Sequence, residues 1–355
     1  MPTLLEICQA RQIPFTGGII EAVETAVPAL MAFDTRTTSG TKFQALARTS
    51  LPTASGFKDY NQGATAGAAS FALREFQAKL LLAKVQVEMV TAARWDAEKA
   101  VDAPSYFDLQ VQATMQSEMK NLEKCLFYGT SQDAKAFPGL KQLTPYVTAN
   151  VLTLTEDPGA TDYIKTVINA AGTTSSTASS VYSVVHGVLD CQLVVCNDNG
   201  GELLGMTEPF RQALAPDSNS PTATLEYMLA QISGHFGVSV SGMNQTPNSV
   251  VPTQYSVRRL ANLTEDSGKG VTDAKLEQLV LSHGDGIVPS RLYMNGRSAR
   301  QWADSRSAST ATLFLGMSGD ARNNTGSLRA KRPDNFEGIP VTYTSAIASN
   351  DAIES

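Results

Sequence analysis

Ser183, His186 and Asp190 fall within eight residues of one another, and a hydroxyl, an imidazole and a carboxylate are the groups from which an activated nucleophile is built. They fit no motif with known mechanics, however: the chain has no GxSxG and no HExxH. The other histidines, His235 and His283, are far away in sequence, so a histidine cluster for catalysis or metal would need the fold to gather it. Ser267–Val271 reads SGKGV but lacks the GxxxxGK[ST] spacing and the strand and helix of a phosphate cradle. Asn197–Glu202, NDNGGE, has the oxygen donors of a calcium loop without DxDxDG spacing, and reads as a hairpin turn. Cys191 and Cys196 lie five apart in strand-type sequence, where a period of two puts them on opposite faces. With Cys8 and Cys125 they are expected to be buried free thiols, not a metal set or a disulfide framework. Asn244, Asn262 and Asn323 begin N-x-[ST] sequons, which matter only along a secretory route. These residues predict no catalytic centre, no bound metal and no cofactor.

The chain around them is long and poor in charge. It has 355 residues, 42% of them hydrophobic and 17% charged, against a typical ~25% charged. A length/150 prior gives two or three domains; collagen, disordered and low-complexity chains are excluded. A net charge of -6 excludes a general polyanion binder. That charge is uneven: Ser290–Arg332 carries eight basic residues against Asp304 and Asp320, net +6, and leaves -12 for the rest. Such a stretch can meet phosphates or an acidic surface on a neighbouring copy, or be a solvated basic face. Glu6 and Arg11 interrupt what would be a signal core, predicting no cleaved leader. The charge-free stretches Thr166–Leu189 and Tyr227–Val257 are broken by polar residues and Pro, and neither reads as a membrane span.

Along the chain, residues 1–33 read as an arm that lies on other surfaces. Alternation at Phe43, Ala45 and Ala47, and again at Phe71 and Leu73, flanks the polar SLPTASGFKDYNQGATAG and predicts one long hairpin. An isolated two-stranded hairpin is marginal in water, so it needs something to lie on. Val85, Val87 and Met89 mark a strand. A helix follows, with Asp102 as N-cap, Pro104 in its first turn and Gly129 closing it. Phe107, Val111, Met115, Met119, Leu122 and Leu126 form its apolar face, with Gln112, Gln116, Lys120 and Glu123 opposite. At 1.5 Å per residue it spans roughly 35 to 40 Å, long enough for a spine. Beyond it the sequence predicts a strand at NVLTLT, a short helix at TDYIKTVINAAG, and strands around the NDNGG turn, over 225–243 and over 254–263. Next come a helix at AKLEQLVLSHG, a strand-turn-helix at SRLYMNGRSARQWADSRS and a strand at FEGIPVTYTSAIA. The class is α+β, without βαβ alternation or internal repeats.

These pieces, in this order, resemble the major capsid proteins of tailed bacteriophages, the family with the Hong Kong 97-type fold. The resemblance rests on the arm, the long polar hairpin, the AKLLLAKVQVEM strand, the helix ending in KCLFYGTSQDAKAFPGL, the YMN of SRLYMNGRSARQW and the GIPV of FEGIPVTYTSAI. It covers about two thirds of the chain. In the prototype many residues follow the GLPV-like strand and return as long peripheral strands, but here only fourteen follow Val341. The middle segment, Val181–Leu263, is then the source of those strands. The order resembles that of some short-tailed-phage coat proteins, with VRR-ANL before the YMN helix.

The resemblance implies a Hong Kong 97-like capsid fold of permuted topology. Residues 1–33 would be the N-terminal arm and 34–75 the extended loop; 76–130 with 181–265 would form the peripheral domain, its spine helix at about 103–128, and 131–180 with 266–355 the axial domain. It implies a non-enzymatic shell protein, a virion component assembled in the bacterial host cytoplasm. Its partners would be itself as hexamers and pentamers, a portal protein, scaffolding and decoration proteins, and packaged double-stranded DNA held non-specifically, with no membrane. Phe57, Lys58, Asp59 and Tyr60 at the loop tip are the candidate inter-subunit contacts. Arg297, Arg300, Arg306, Arg322, Arg329, Lys331 and Arg332 are the candidate basic contacts. The alternatives are an encapsulin-like compartment protein, or an enzyme with a scattered site such as Asp190, His186 and Ser183.

Overall fold

A computed structural model describes residues 26–52, 57, 59–63, 67–98, 104–154, 165–187, 190–196, 204–217, 220–241, 248, 255–284, 286–315 and 333–355. Its helices are α1 (Pro28–Ala32), α2 (Met89–Glu98), α3 (Tyr106–Tyr128), α4 (Leu140–Leu143), α5 (Asp273–Leu281) and α6 (Gly296–Leu315). The strands are β1 (Thr35–Thr38), β2 (Lys42–Ser50), β3 (Ser70–Gln77), β4 (Lys79–Glu88), β5 (Val151–Thr153), β6 (Val167–Asn169), β7 (Ser179–Val184) and β8 (Gln192–Cys196). They continue with β9 (Gly205–Met206), β10 (Phe210–Asp217), β11 (Ser220–Ser239), β12 (Val257–Leu263), β13 (Arg291–Met294), β14 (Asn335–Phe336) and β15 (Ile339–Tyr343).

Three sheets result. The first is ordered β1-β8-β11-β10, with β4 and β9 also on β11; the second is ordered β14-β15-β13-β7-β12-β6-β5; β2 and β3 form the third alone. In β11 the even positions Ala230, Ile232, Phe236 and Val238 pack in the core around α3, with the period of two of a strand; on its other face Gln231 is exposed, while Tyr227 and Leu229 are buried. The second sheet is buried on both faces, with every residue of β7 and β12 inside. Tyr182, Val184, Val257 and Tyr293 point to the core around α3. Val181, Leu260, Leu292 and Met294 point to a second core with Trp302, Leu276 and Leu279 of α5 and α6.

The spine helix is α3. Ser105 is its N-cap, its hydroxyl accepting from Asp108 N at 3.0 Å, so the helix starts three residues later than an Asp102 cap would have it; Asp102 lies outside the described residues. Phe107, Val111, Leu122 and Leu126 are buried, with Met115 and Met119 packed against them, as the periodicity requires. Gly129 ends it at φ 54° and ψ -126°, a conformation that glycine alone adopts without strain. A Cβ there would stand 2.0 Å from Gly139 N. The two glycines of the FYG…FPGL stretch are thus where the loop folds back on the helix end. Gln142 fastens it, its Oε1 accepting from Thr130 N (3.1 Å) and Gly139 N (3.3 Å).

Three further expectations change. Residues 165–170 are not helical: Val167 and Ile168, fully buried, form β6 between the parallel neighbours β5 and β12. Branched side chains with both faces covered suit a parallel strand better than a helix. Met89 opens α2 instead of extending the strand. Glu123, placed by periodicity on the polar face of the spine helix, is buried: its Oε1 accepts from Ala29 N (2.7 Å) and Thr344 Oγ1 (3.1 Å). Strands β8 to β11 lie with β4 and α3, whereas β7 and β12 belong to the second sheet. Phe137, Leu140, Leu143, Ala346 and Ile347 also pack in the α3 core.

Candidate assembly surfaces

Ser183, His186 and Asp190 do not come together as a nucleophile, base and orienting carboxylate. Ser183 Oγ pairs with His283 Nε2 (2.8 Å), not with His186, and His283 Nδ1 meets Tyr255 O (2.7 Å). Burial, and then the nearby Arg258 guanidinium, push His283 down to about 3, so the imidazole is neutral. His186 is engaged at both nitrogens, by Cys191 O (3.2 Å) and Tyr293 Oη (3.0 Å). The SGKGV loop turns carbonyls inward: Lys275 Nζ donates to Gly268 O (2.8 Å) and Gly270 O (2.7 Å), the reverse of the N–H lining that a phosphate needs. Cys125, Cys191 and Cys196 are buried free thiols. Cys191 packs in the α3 core and Cys196 against Phe43, on different sides as the spacing predicts. Among the described residues no group of three His, Cys, Asp or Glu could hold a metal. NDNGGE, Asn244 and Asn323 lie outside the described residues.

What the fold displays instead is the β2–β3 hairpin. Its root is fixed. β1 pairs parallel with β8, Leu193 N donates to Asp34 O (2.9 Å), and Ala78 N donates to Thr41 O (3.0 Å). Phe43 is buried with Ala78, Val194 and Cys196, and the Arg36 guanidinium lies 5.0 Å from its ring centroid. Beyond the root the two strands pair, among the described residues, only with each other. On one face the cross-strand pairs run Gln44–Glu75, Leu46–Leu73 and Arg48–Phe71. The first is polar and knotted, with Lys42 Nζ 2.7 Å from Glu75 Oε1; hydrogen bonds from Lys42 and then Gln44 hold the Glu75 carboxyl below its ordinary value. The next two put Leu46, Leu73 and Phe71 in solvent at 64%, 65% and 58% exposure. At ~3.3 Å per residue, the nine residues of β2 project roughly 30 Å. At the tip Phe57 and Tyr60 are fully exposed and Asp59 is exposed, while Lys58 lies outside the described residues. Large apolar side chains on an uncovered ribbon mark an interaction surface.

The basic stretch is less free than its charge suggests. Arg297 donates to Ser349 O. Arg306 pairs with Asp273 at 3.0 Å and stacks on Trp302. Arg300, 71% exposed, lies 3.6 Å from Asp304. Arg322, Arg329, Lys331 and Arg332 lie outside the described residues.

Composition and periodicity did not point to the charged groups that hold the frame together. Arg258 and Arg259, adjacent in β12, are both fully buried. Arg258 Nε donates to Ser282 O at the end of α5 (2.9 Å), and Arg259 grips Glu354 with both terminal nitrogens. Asn295, the N of YMN, accepts from Ser298 N (2.8 Å) to cap α6 and donates to Ala348 O (2.9 Å). Two arginines inside an otherwise apolar run, YSVRRLANL, were the available signal: charges so placed are buried only with partners.

No family model matches the chain, and no curated protein matches it. Solved structures do. A chain of the cryo-EM structure of bacteriophage Epsilon15 is similar at 15% identity and a TM-score of 0.57, over 99% of this chain and 97% of that one. The capsid of a native GTA particle matches at 9% identity and a TM-score of 0.42, over 70% of this chain and 94% of the other. The procapsid of bacteriophage JBD30 matches at 12% identity and a TM-score of 0.39, over 90% and 91%. The first of these is matched over nearly the full length of both chains, and the chain has the Hong Kong 97-type fold.

Proposed function

We propose that this chain is the major capsid protein of a tailed double-stranded DNA bacteriophage, assembling as hexamers and pentamers into an icosahedral shell around the genome. The observation that carries the reading is the hairpin: a ribbon of two strands, anchored at one end, with Leu46, Leu73 and Phe71 exposed and, among the described residues, no further strand of its own chain pairing with it. A neighbouring copy lying beneath it supplies the missing core, and the heterologous contact propagates around a closed ring. In this reading the α3 layer with the first sheet is the peripheral domain, the second sheet with α5 and α6 is the axial domain, and Phe57, Lys58, Asp59 and Tyr60 touch the adjacent subunit. Low charge suits such a surface, since Ser, Thr and Ala cost less to desolvate than ionised groups.

Portal, scaffolding and decoration proteins are further partners, and the virion, completed in the host cytoplasm, is the destination. Packaged DNA meets the shell non-specifically through phosphates; among the described basic residues of the 290–332 stretch, Arg300 is the exposed one. The content of purified particles tests the proposal against the encapsulin-like alternative. Nuclease-protected double-stranded DNA in particles from phage-producing cells is the expected result, and shells filled with a protein cargo overturn it.

A further inference from the structure

Residues 344–354 run from one core to the other. Thr344 N donates to Met294 O (3.0 Å), and its hydroxyl reaches the buried Glu123 of α3. Ile347 is buried in the α3 core. Ala348 N donates to Tyr128 Oη at the helix end (2.8 Å), and that hydroxyl donates to Asp351 Oδ2 (3.1 Å). Asp351 N donates to Ala178 O beside β7 (3.0 Å). Glu354 closes the run on β12: its carboxylate takes both terminal nitrogens of Arg259, its N donates to Asn262 Oδ1 (3.0 Å), and its carbonyl accepts from Asn262 Nδ2 (2.8 Å).

We propose that this C-terminal segment is an acid-releasable strap that fixes the spine helix against the second sheet, with Glu354 as its catch. Arg259 is 1% exposed, so a neutral Glu354 would leave a buried guanidinium without its counter-charge, which is strongly unfavourable. The groups facing Glu354 are Arg259 from β12, Lys141 from α4 at 3.1 Å, and Asp351 on the strap, itself 3.5 Å from Lys141; the phenols of Tyr128, Tyr146 and Tyr182 are neutral. Two cations thus balance two carboxylates. Burial pushes the Glu354 carboxyl up, but Arg259 and Lys141 together pull it below its ordinary value. A carboxyl lowered on folding gives stability that is complete above its unfolded value and is lost as the pH falls through the folded one. The catch is therefore closed at neutral pH and opens in acid. The strap does not depend on the coat-protein reading, because every contact in it is within one chain.

Hydrogen exchange on the full chain tests it, with protection factors for residues 347–354 followed from about pH 7 to about pH 3.5, across the carboxylate range. In the wild type, protection falls in acid while that of Leu122–Phe127 in α3 persists. Glu354→Gln lowers strap protection about tenfold or more at neutral pH, the scale of a lost charge-assisted hydrogen bond, and abolishes the acid step; Asp351→Asn keeps the step. Wild-type strap protection that is flat in acid overturns the proposal even if Glu354→Gln does not fold. So does an acid step that persists in Glu354→Gln.

Discussion

Arg258 and Arg259 show how charge is handled inside this protein. A strand alternates its side chains, so adjacent arginines leave β12 toward opposite faces, one reaching the end of α5 and the other the C-terminal segment. Burial lowers Arg258 to about 10, whereas Glu354 more than offsets the same effect at Arg259. His283 beside them has no counter-ion and stays neutral. Its folded value, about 3, lies below the ordinary 6.5, so below pH ~6.5 the unfolded chain binds a proton that the folded one does not. Its contribution is complete above pH ~6.5 and drains as the pH falls, by up to ~1.4 kcal/mol per unit. Urea unfolding between about pH 7 and pH 5 should show this slope, and His283→Asn, although less stable throughout, should lose up to one proton's worth of it. Parallel pH profiles for the two proteins would contradict the assignment. None of this could be read from periodicity, because a histidine's partners Ser183 and Tyr255 are distant in sequence.

At the scale of elements, the spine helix and hairpin were legible because each is a local pattern. Phe107, Val111, Leu122 and Leu126 recur on one face, and Gly129 supplies the stop. Residues 165–170 misled because VIN can serve a helix or a strand, and the choice was made by β12 and β5 on either side. Glu123 was placed outside because periodicity describes the helix alone, without the N–H of Ala29 that its carboxylate caps. In the proposed assembly the hairpin has a role beyond its own fold. Leu46→Asp with Leu73→Asp should leave the melting temperature of the unassembled subunit nearly unchanged, as expected of exposed positions, while stopping shell closure. Deleting residues 52–66 should do the same. Circular dichroism melts with particle counts by sedimentation check both; normal shells from either variant would remove the hairpin from the assembly account.

For the whole molecule, the α+β class and the order of elements followed from sequence, whereas the division into layers did not. Strands β7 and β8 are separated by a short connection, yet they enter different sheets. Burial alone does not make that choice, since both are buried at every position; it is made by distant partners, β12 and β13 for β7, and β1 and β11 for β8. The uneven charge also changes meaning. In the +6 stretch, Arg297 and Arg306 are spent on the chain's own Ser349 and Asp273, while the hairpin sets Leu46, Leu73 and Phe71 in solvent. The central claim is that this surface is satisfied by identical copies, and electron microscopy of the purified full-length protein tests it most directly. The account predicts closed shells several hundred ångströms across, or rings of six and five subunits; a uniform population of monomers or small discrete oligomers under assembly conditions would contradict it.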